Sequence, residues 1–201
     1  KDTEVELPDL ETIWKTNSTN LTPSNPVTLS WTNNQNITFK INYTIDDEYM
    51  FSITQEIENK GNTNIEVFPY RLIKRINTPD TINFFILHEG FISLINDELL
   101  EKNYDDIADD CNSSMPSKKE FCDNKAQGGW LGFTDKYWMS ALIPDADQSI
   151  NVNYRYGNNG RDSYRAGYVG QIYKVSSGES LEYGGKLFVG AKKLNVLSAY
   201  D

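Results

Sequence analysis

The chain has 201 residues, 38% of them hydrophobic, with a formal net charge of −10 and a pI near 4.6. That is enough length and apolar content for one domain with a real core. The acidic balance argues against nucleic acid as a partner and against docking onto anionic lipid headgroups, and no apolar run approaches the roughly 20 residues needed to span a bilayer.

Residues 1–26 carry Pro8, Pro23 and Pro26 around a Thr/Asn/Ser cluster and read as an irregular lead-in. The chain opens on Lys1 with no signal-peptide pattern, so it reads as a piece of a longer protein with any membrane anchor outside it. From Ile37 the period is two. Ile37, Phe39, Ile41, Tyr43 and Ile45 alternate with polar residues, which predicts a strand with one buried face. After the acidic turn Asp46-Asp47-Glu48, the alternation resumes at Tyr49, Phe51, Ile53 and Ile57. Asn59-Lys60-Gly61-Asn62 is a second turn, and Ile65 to Leu72 is predicted as the third strand of a meander. Asn-x-Ser/Thr tripeptides start at Asn17, Asn20, Asn36, Asn42 and Asn112; in a chain this rich in Asn they read as chance matches, not glycosylation sites.

Thr81 to Leu87 and Gly90 to Ile95 predict two further strands, bent at His88-Glu89-Gly90. Glu98 to Asp110 is acidic and predicts a surface loop with one short helical turn. Cys111 and Cys122 bound a polar loop containing Pro116. They form neither a CxxC redox pair nor a zinc pattern, so they read as a disulfide made in an oxidising compartment.

The next stretch, Gly128-Gly129-Trp130 to Ile143-Pro144, is dense in apolar and aromatic residues. It predicts strands at Trp130–Phe133 and Tyr137–Ile143 around a Thr134-Asp135-Lys136 turn. Trp130, Tyr137 and Trp138 are candidates for a peptide or partner surface. Core packing is the competing role for the set, although at least one of the neighbours Tyr137 and Trp138 must point outward. Strands follow at Ile150–Tyr156, Tyr164–Val175 and Ser180–Val189. At Gly190 the period changes: Ala191, Leu194 and Leu197 lie three apart, predicting a short C-terminal helix. Together these elements give an all-β, antiparallel two-sheet sandwich over residues 27–189, after the 1–26 lead-in and before the helix start at 190–201.

Catalytic signals are sparse. His88 is the only histidine, so a two-histidine sugar mechanism is impossible, and no Gly-x-Ser-x-Gly elbow exists. The acidic residues sit mostly in turns and read as solvated surface, and no EF-hand loop is present. The expectation is a non-enzymatic domain with no cofactor and no metal.

Several blocks, in order and spacing, resemble one family. They are Ile37 to Asn62, Asn83-Phe84-Phe85-Ile86-Leu87-His88-Glu89-Gly90-Phe91, Tyr104-Asp105-Asp106-Ile107, the Gly128-Gly129-Trp130 block, and Leu187 to Lys193. From about Leu29 to Asp201 the chain resembles the large periplasmic domain of YidC-type membrane protein insertases. The resemblance implies a twisted sandwich of the galactose-mutarotase-like kind (a supersandwich). It implies a place on the periplasmic face of the bacterial inner membrane, between the first two transmembrane helices of the parent. It also implies a non-catalytic role in inserting and folding membrane proteins, alone or with the Sec translocon. Sec components and nascent membrane proteins would then be partners. Independently of the resemblance, the aromatics near Trp130 and Trp138 and the open edges of a truncated sandwich predict weak binding of extended peptides. Membrane anchoring would come only from parts outside this chain. Gly190, Ala191, Leu194 and Leu197 would form the coupling helix. The family domain usually has further strands before Leu29, and the cysteine pair is not an expected family feature. The alternative is an extracytoplasmic carbohydrate-binding or carbohydrate-processing sandwich, and a third reading is an adhesin-like structural domain.

Overall fold

The computed structural model of the chain describes residues 5–81, 88–112 and 122–193. Its elements in chain order are β1 (Lys15–Thr16), β2 (Val27–Thr32), β3 (Ile37–Ile45), β4 (Met50–Asn59), β5 (Ile65–Val67), β6 (Tyr70–Ile76), β7 (Gly90–Ile95), β8 (Glu98–Lys102), α1 (Tyr104–Asp110), β9 (Asp123–Gln127), β10 (Trp130–Thr134), β11 (Trp138–Ile143), β12 (Ser149–Asn158), β13 (Asp162–Val169), β14 (Tyr173–Val175), β15 (Ser180–Tyr183) and β16 (Lys186–Ala191). The chain divides into two compact units. Unit 1 takes the described parts of Lys1–Pro69 with Ile172–Gly185; unit 2 takes those of Tyr70–Gln171 with Lys186–Asp201.

In unit 1, β1, β2, β3, β4 and β15 pair antiparallel in that order, and β5 pairs with β14. The period of two in β3 sends Ile37 and Phe39 into a core with Ile65 and Val175. Trp14, Trp31, Ile57 and Leu181 pack against it. Trp31 stacks on its cross-strand partner Phe39, with ring centres 5.7 Å apart. Lys40 pairs with Glu56 and Glu58, and Lys60 also reaches Glu58 at 3.0 Å. The hydrogen bond from Lys40 is the main cause that holds the Glu58 carboxyl down at about 2. Asn59 is fully buried but satisfied: its Nδ2 donates to the Thr63 and Val175 carbonyls, and its Oδ1 accepts from Gly61 N.

Unit 2 is a sandwich. One sheet runs β16-β11-β10-β7-β8 and the other β6-β13-β12-β9, all antiparallel. Between them lies an aromatic cluster. The Phe91 ring centre is 4.5 Å from Phe133, 5.8 Å from Tyr154 and 6.1 Å from Tyr164. Helix α1 adds Tyr104, 4.9 Å from Tyr164, and fully buried Ile107. Tyr154 OH donates to Ser93 Oγ at 2.7 Å, tying the two sheets through a buried hydrogen bond. At the start of α1 the Asn103 side chain caps Asp106 N at 2.8 Å. At its end, Cys111 is the C-cap and is bonded to Cys122, just before β9; both are fully buried. A bridge closing so short a loop contributes about 2–3 kcal/mol on the chain-entropy model.

The structure departs from the sequence reading at several points. Ile65 to Leu72 is two strands, not the third of a meander: β5 pairs with β14, and β6 with β13. Tyr164–Val175 and Ser180–Val189 are also split, into β13/β14 and β15/β16. Each break falls where the chain passes from one unit to the other, at Pro69, at Gln171 and at Gly185. The alternation continues through these points while the pairing partners change, so the period does not reveal the break. The acidic stretch Glu98–Asp110 is strand β8 followed by α1, whose inward face carries Tyr104 and Ile107 into the core. Strand β16 includes Gly190 and Ala191, which the sequence reading placed in a helix. The strand predicted at Thr81 to Leu87 lies, after Thr81, outside the described residues, as do Leu194 and Leu197.

Truncating Phe91 removes the ring that touches every other member of the cluster. Phe91→Ala is expected to cost about 3–5 kcal/mol in chemical denaturation. An exposed control, Leu99→Ala, is expected to stay within about 0.5 kcal/mol of the parent.

Candidate functional site

The Gly-Gly-Trp block forms the hairpin β10–β11. Gly128 and Gly129 have φ of +63° and +84°, the left-handed region that side chains disfavour. Gly132 faces a different demand: a Cβ there would lie 1.8 Å from the Ser140 carbonyl oxygen, so only glycine lets β11 run this close. Leu131 and Phe133 then point into the core, opposite Leu142 and Ser140.

The tip of the hairpin is held from the other sheet. Asp135 N donates to the Trp138 carbonyl at 2.8 Å, closing the turn. The Asp135 carboxylate accepts from Arg75 Nη1 of β6 at 2.8 and 2.7 Å. The Arg75 guanidinium also lies 5.6 Å from the Tyr104 ring centre. Tyr137 and Trp138 stand out from this fixed turn, 64% and 61% exposed. Lys136 Nζ sits 4.9 Å from the Tyr137 ring centre, a cation–π contact. The Tyr137 carbonyl accepts from Lys192 N at 2.8 Å, and Trp138 pairs with Ala191. Val189, opposite Ser140, is 44% exposed and shares a sheet face with Trp138.

The structure therefore brings Tyr137 and Trp138 together beside the end of β16, and both are exposed instead of packed in the core. Trp130 is separate. It is half-buried, pairs with Leu94, and lies at the opposite end of β10 on the opposite face from Phe133. Gly190 and Ala191 contribute as strand residues that carry the chain to this tip. The disulfide Cys111–Cys122 sits at the end of α1, away from the hairpin tip in sequence and buried. His88 Nε2 donates to the Phe91 carbonyl at 2.7 Å, which gives the single histidine a place at the entry to β7. A cavity of about 110 Å³ is lined by Ser93, Ile95, Glu98, Leu99, Val152 and Tyr154. Ligand pockets generally start at roughly 300 Å³. Among the described residues, no group of three His, Cys, Asp or Glu is placed to hold a metal.

Sequence reasoning missed the Arg75–Asp135 clamp. The two residues are 60 positions apart, and nothing local in either segment points to the other. It also read Lys136 only as a turn residue, although its place next to Tyr137 was visible.

The family model described as the YidC periplasmic domain matches residues 1–201. The membrane protein insertase YidC of Rickettsia bellii is 37% identical over 198 residues, 98% of this chain and 34% of that protein. That of Methylobacterium radiotolerans is 36% identical over 197 residues, 97% of this chain and 32% of that protein. The chain thus spans about a third of the length of these curated relatives. Among solved structures, a galactose mutarotase related enzyme from Lactobacillus acidophilus matches with a TM-score of 0.60 at 9% identity, covering 91% of this chain and 73% of that one. That likeness shows the fold alone, and it bears out the galactose-mutarotase-like class expected from the sequence.

Burial pushes the phenols of Tyr104, Tyr154 and Tyr168 up to about 12. An acid held neutral in this way stabilises the fold fully below its unfolded value near 10, and the contribution is lost as pH rises towards about 12. Tyrosinate absorbance is therefore expected to rise in two steps. The second, above about pH 11, should coincide with loss of near-ultraviolet circular dichroism. A single step complete before the dichroism changes would contradict the burial of these rings.

Proposed function

The chain belongs to the YidC periplasmic domain family, and we propose that it serves as the non-catalytic periplasmic domain of a membrane protein insertase. The observation that carries this reading is the match over the whole chain, together with relatives named as membrane protein insertases at about 35% identity. In this role it sits at the periplasmic face of the inner membrane. There it helps the parent insert and fold inner-membrane proteins, with nascent membrane proteins and Sec translocon components as partners. Weak docking of extended nascent segments fits the sheet edges left without a neighbouring strand among the described residues. The carbohydrate reading is not favoured: the relatives are named as insertases, and the likeness to a mutarotase-related enzyme is one of fold. The backbone hydrogen bond of His88 supports a structural role for the only histidine.

Coupling to the membrane part is assigned to the segment that follows β16. Its apolar spacing at Leu194 and Leu197 gives one narrow stripe, too short to be stable as an isolated helix. Such a stripe needs a partner surface. In the full-length parent, Leu194→Asp with Leu197→Asp is expected to prevent rescue of insertase-depleted cells. Asp105→Ser with Asp106→Ser, in the first turn of α1, should rescue normally. Growth is read alongside protein abundance. Normal growth of the leucine variant at normal abundance would remove the coupling role.

A further inference from the structure

We propose that the tip formed by Lys136, Tyr137, Trp138 and the end of β16 is a lipid-contact site that seats on the surface of a phospholipid bilayer. The proposal rests on the membrane-protein reading above. It starts from a contrast between the whole domain and one place on it. The chain carries a net charge of −10, yet Lys136 lies in this turn, Lys192 is bonded through its backbone to Tyr137, and Lys193 follows it. Among the described residues, the acids that act on Lys192 are Asp135, already held by Arg75, and Glu89. Charges beyond about 8–10 Å are largely screened at physiological salt, so the local sign matters more than the total. The net charge argues against anionic headgroups for the domain as a whole, and the proposal is confined to this tip.

The aromatic chemistry fits the same partner. Trp and Tyr pair an apolar ring with a polar group, and they concentrate where headgroups meet acyl chains. Lysine stems lie along apolar surface while their ammonium groups reach phosphate. Tyr137 and Trp138 are both more than half exposed, and Val189 lies on the same sheet face as Trp138. The turn that presents them is fixed by the Arg75–Asp135 pair, so little ordering is needed on contact.

Position selects the bilayer over other partners. The tip is joined directly to Lys192, which leads into the Leu194 and Leu197 segment to which coupling is assigned above. In relatives about three times as long, the matched third is part of a protein named a membrane protein insertase. A weak contact next to the connection to a membrane is strengthened by high effective concentration, so a few residues suffice.

The test uses the 201-residue chain with vesicles of phosphatidylethanolamine and phosphatidylglycerol carrying brominated acyl chains, which quench tryptophan on contact. Quenching at millimolar lipid is expected, and Trp138→Phe should abolish it, because Trp14, Trp31 and Trp130 are half-buried elsewhere. Tyr137→Ser with Trp138→Ser should lower vesicle co-flotation several-fold, with near-ultraviolet circular dichroism otherwise kept. Lys136→Glu with Lys193→Glu, a pure surface change, should do the same and steepen with falling salt. No quenching in the parent chain, or quenching that persists in Trp138→Phe, overturns the proposal. So does a tryptophan response to unfolded peptides with none to vesicles, which would make the tip a polypeptide site. No growth is measured here. Failure with an intact coupling phenotype removes the lipid contact alone, and a failed coupling test with intact quenching leaves it standing.

Discussion

The ring of Phe91 is the contact on which the second unit depends. It meets Phe133 from its own sheet, Tyr154 and Tyr164 from the facing sheet, and Tyr104 from the helix. Tilted and edge-to-face contacts of this kind add to simple burial, because the positive ring edge meets a negative face. They also fix geometry. A sheet that could slide over its partner would lose several such contacts at once.

The β10–β11 hairpin tip inherits that rigidity. Arg75 lies on the sheet facing the hairpin, between the Tyr104 ring and the Asp135 carboxylate. It thus links the aromatic cluster to the turn that displays Tyr137 and Trp138. This pair is half-exposed, so its energetic worth is modest, and its main effect is to position the turn. The disulfide acts at the other end of α1, where it holds the helix that delivers Tyr104.

Much of this was legible in the sequence. Strands β3 and β7 begin and end where the alternation predicts, and the hairpin β10–β11 shifts by only a residue. The cysteine pair was read correctly from its spacing and polar loop. What failed has two physical causes. Alternation reports the faces of a strand but not its neighbours, so Ile65–Leu72, Tyr164–Val175 and Ser180–Val189 each looked continuous across a change of partner. Charge also hid the extent of a helix that the sequence reading took for a single short turn in a surface loop. In Tyr104–Asp110 the residues that turn inward are Tyr104, Ile107 and the acid Asp110, a run of three positions too short to stand out by period. At the tip, residue types drew attention to Trp130, Tyr137 and Trp138 alike, but cross-strand register separates the first from the other two.

The central claim is that this domain faces the bilayer with one particular edge. Site-directed spin labelling of the full-length parent in lipid nanodiscs tests it most directly, by comparing collisions with oxygen, which partitions into lipid, and with a water-soluble nickel chelate. A label at position 137 should favour oxygen and lie at headgroup depth, while labels at exposed positions 76 and 99 should favour the chelate. Equal, water-like accessibility at all three positions would contradict the account.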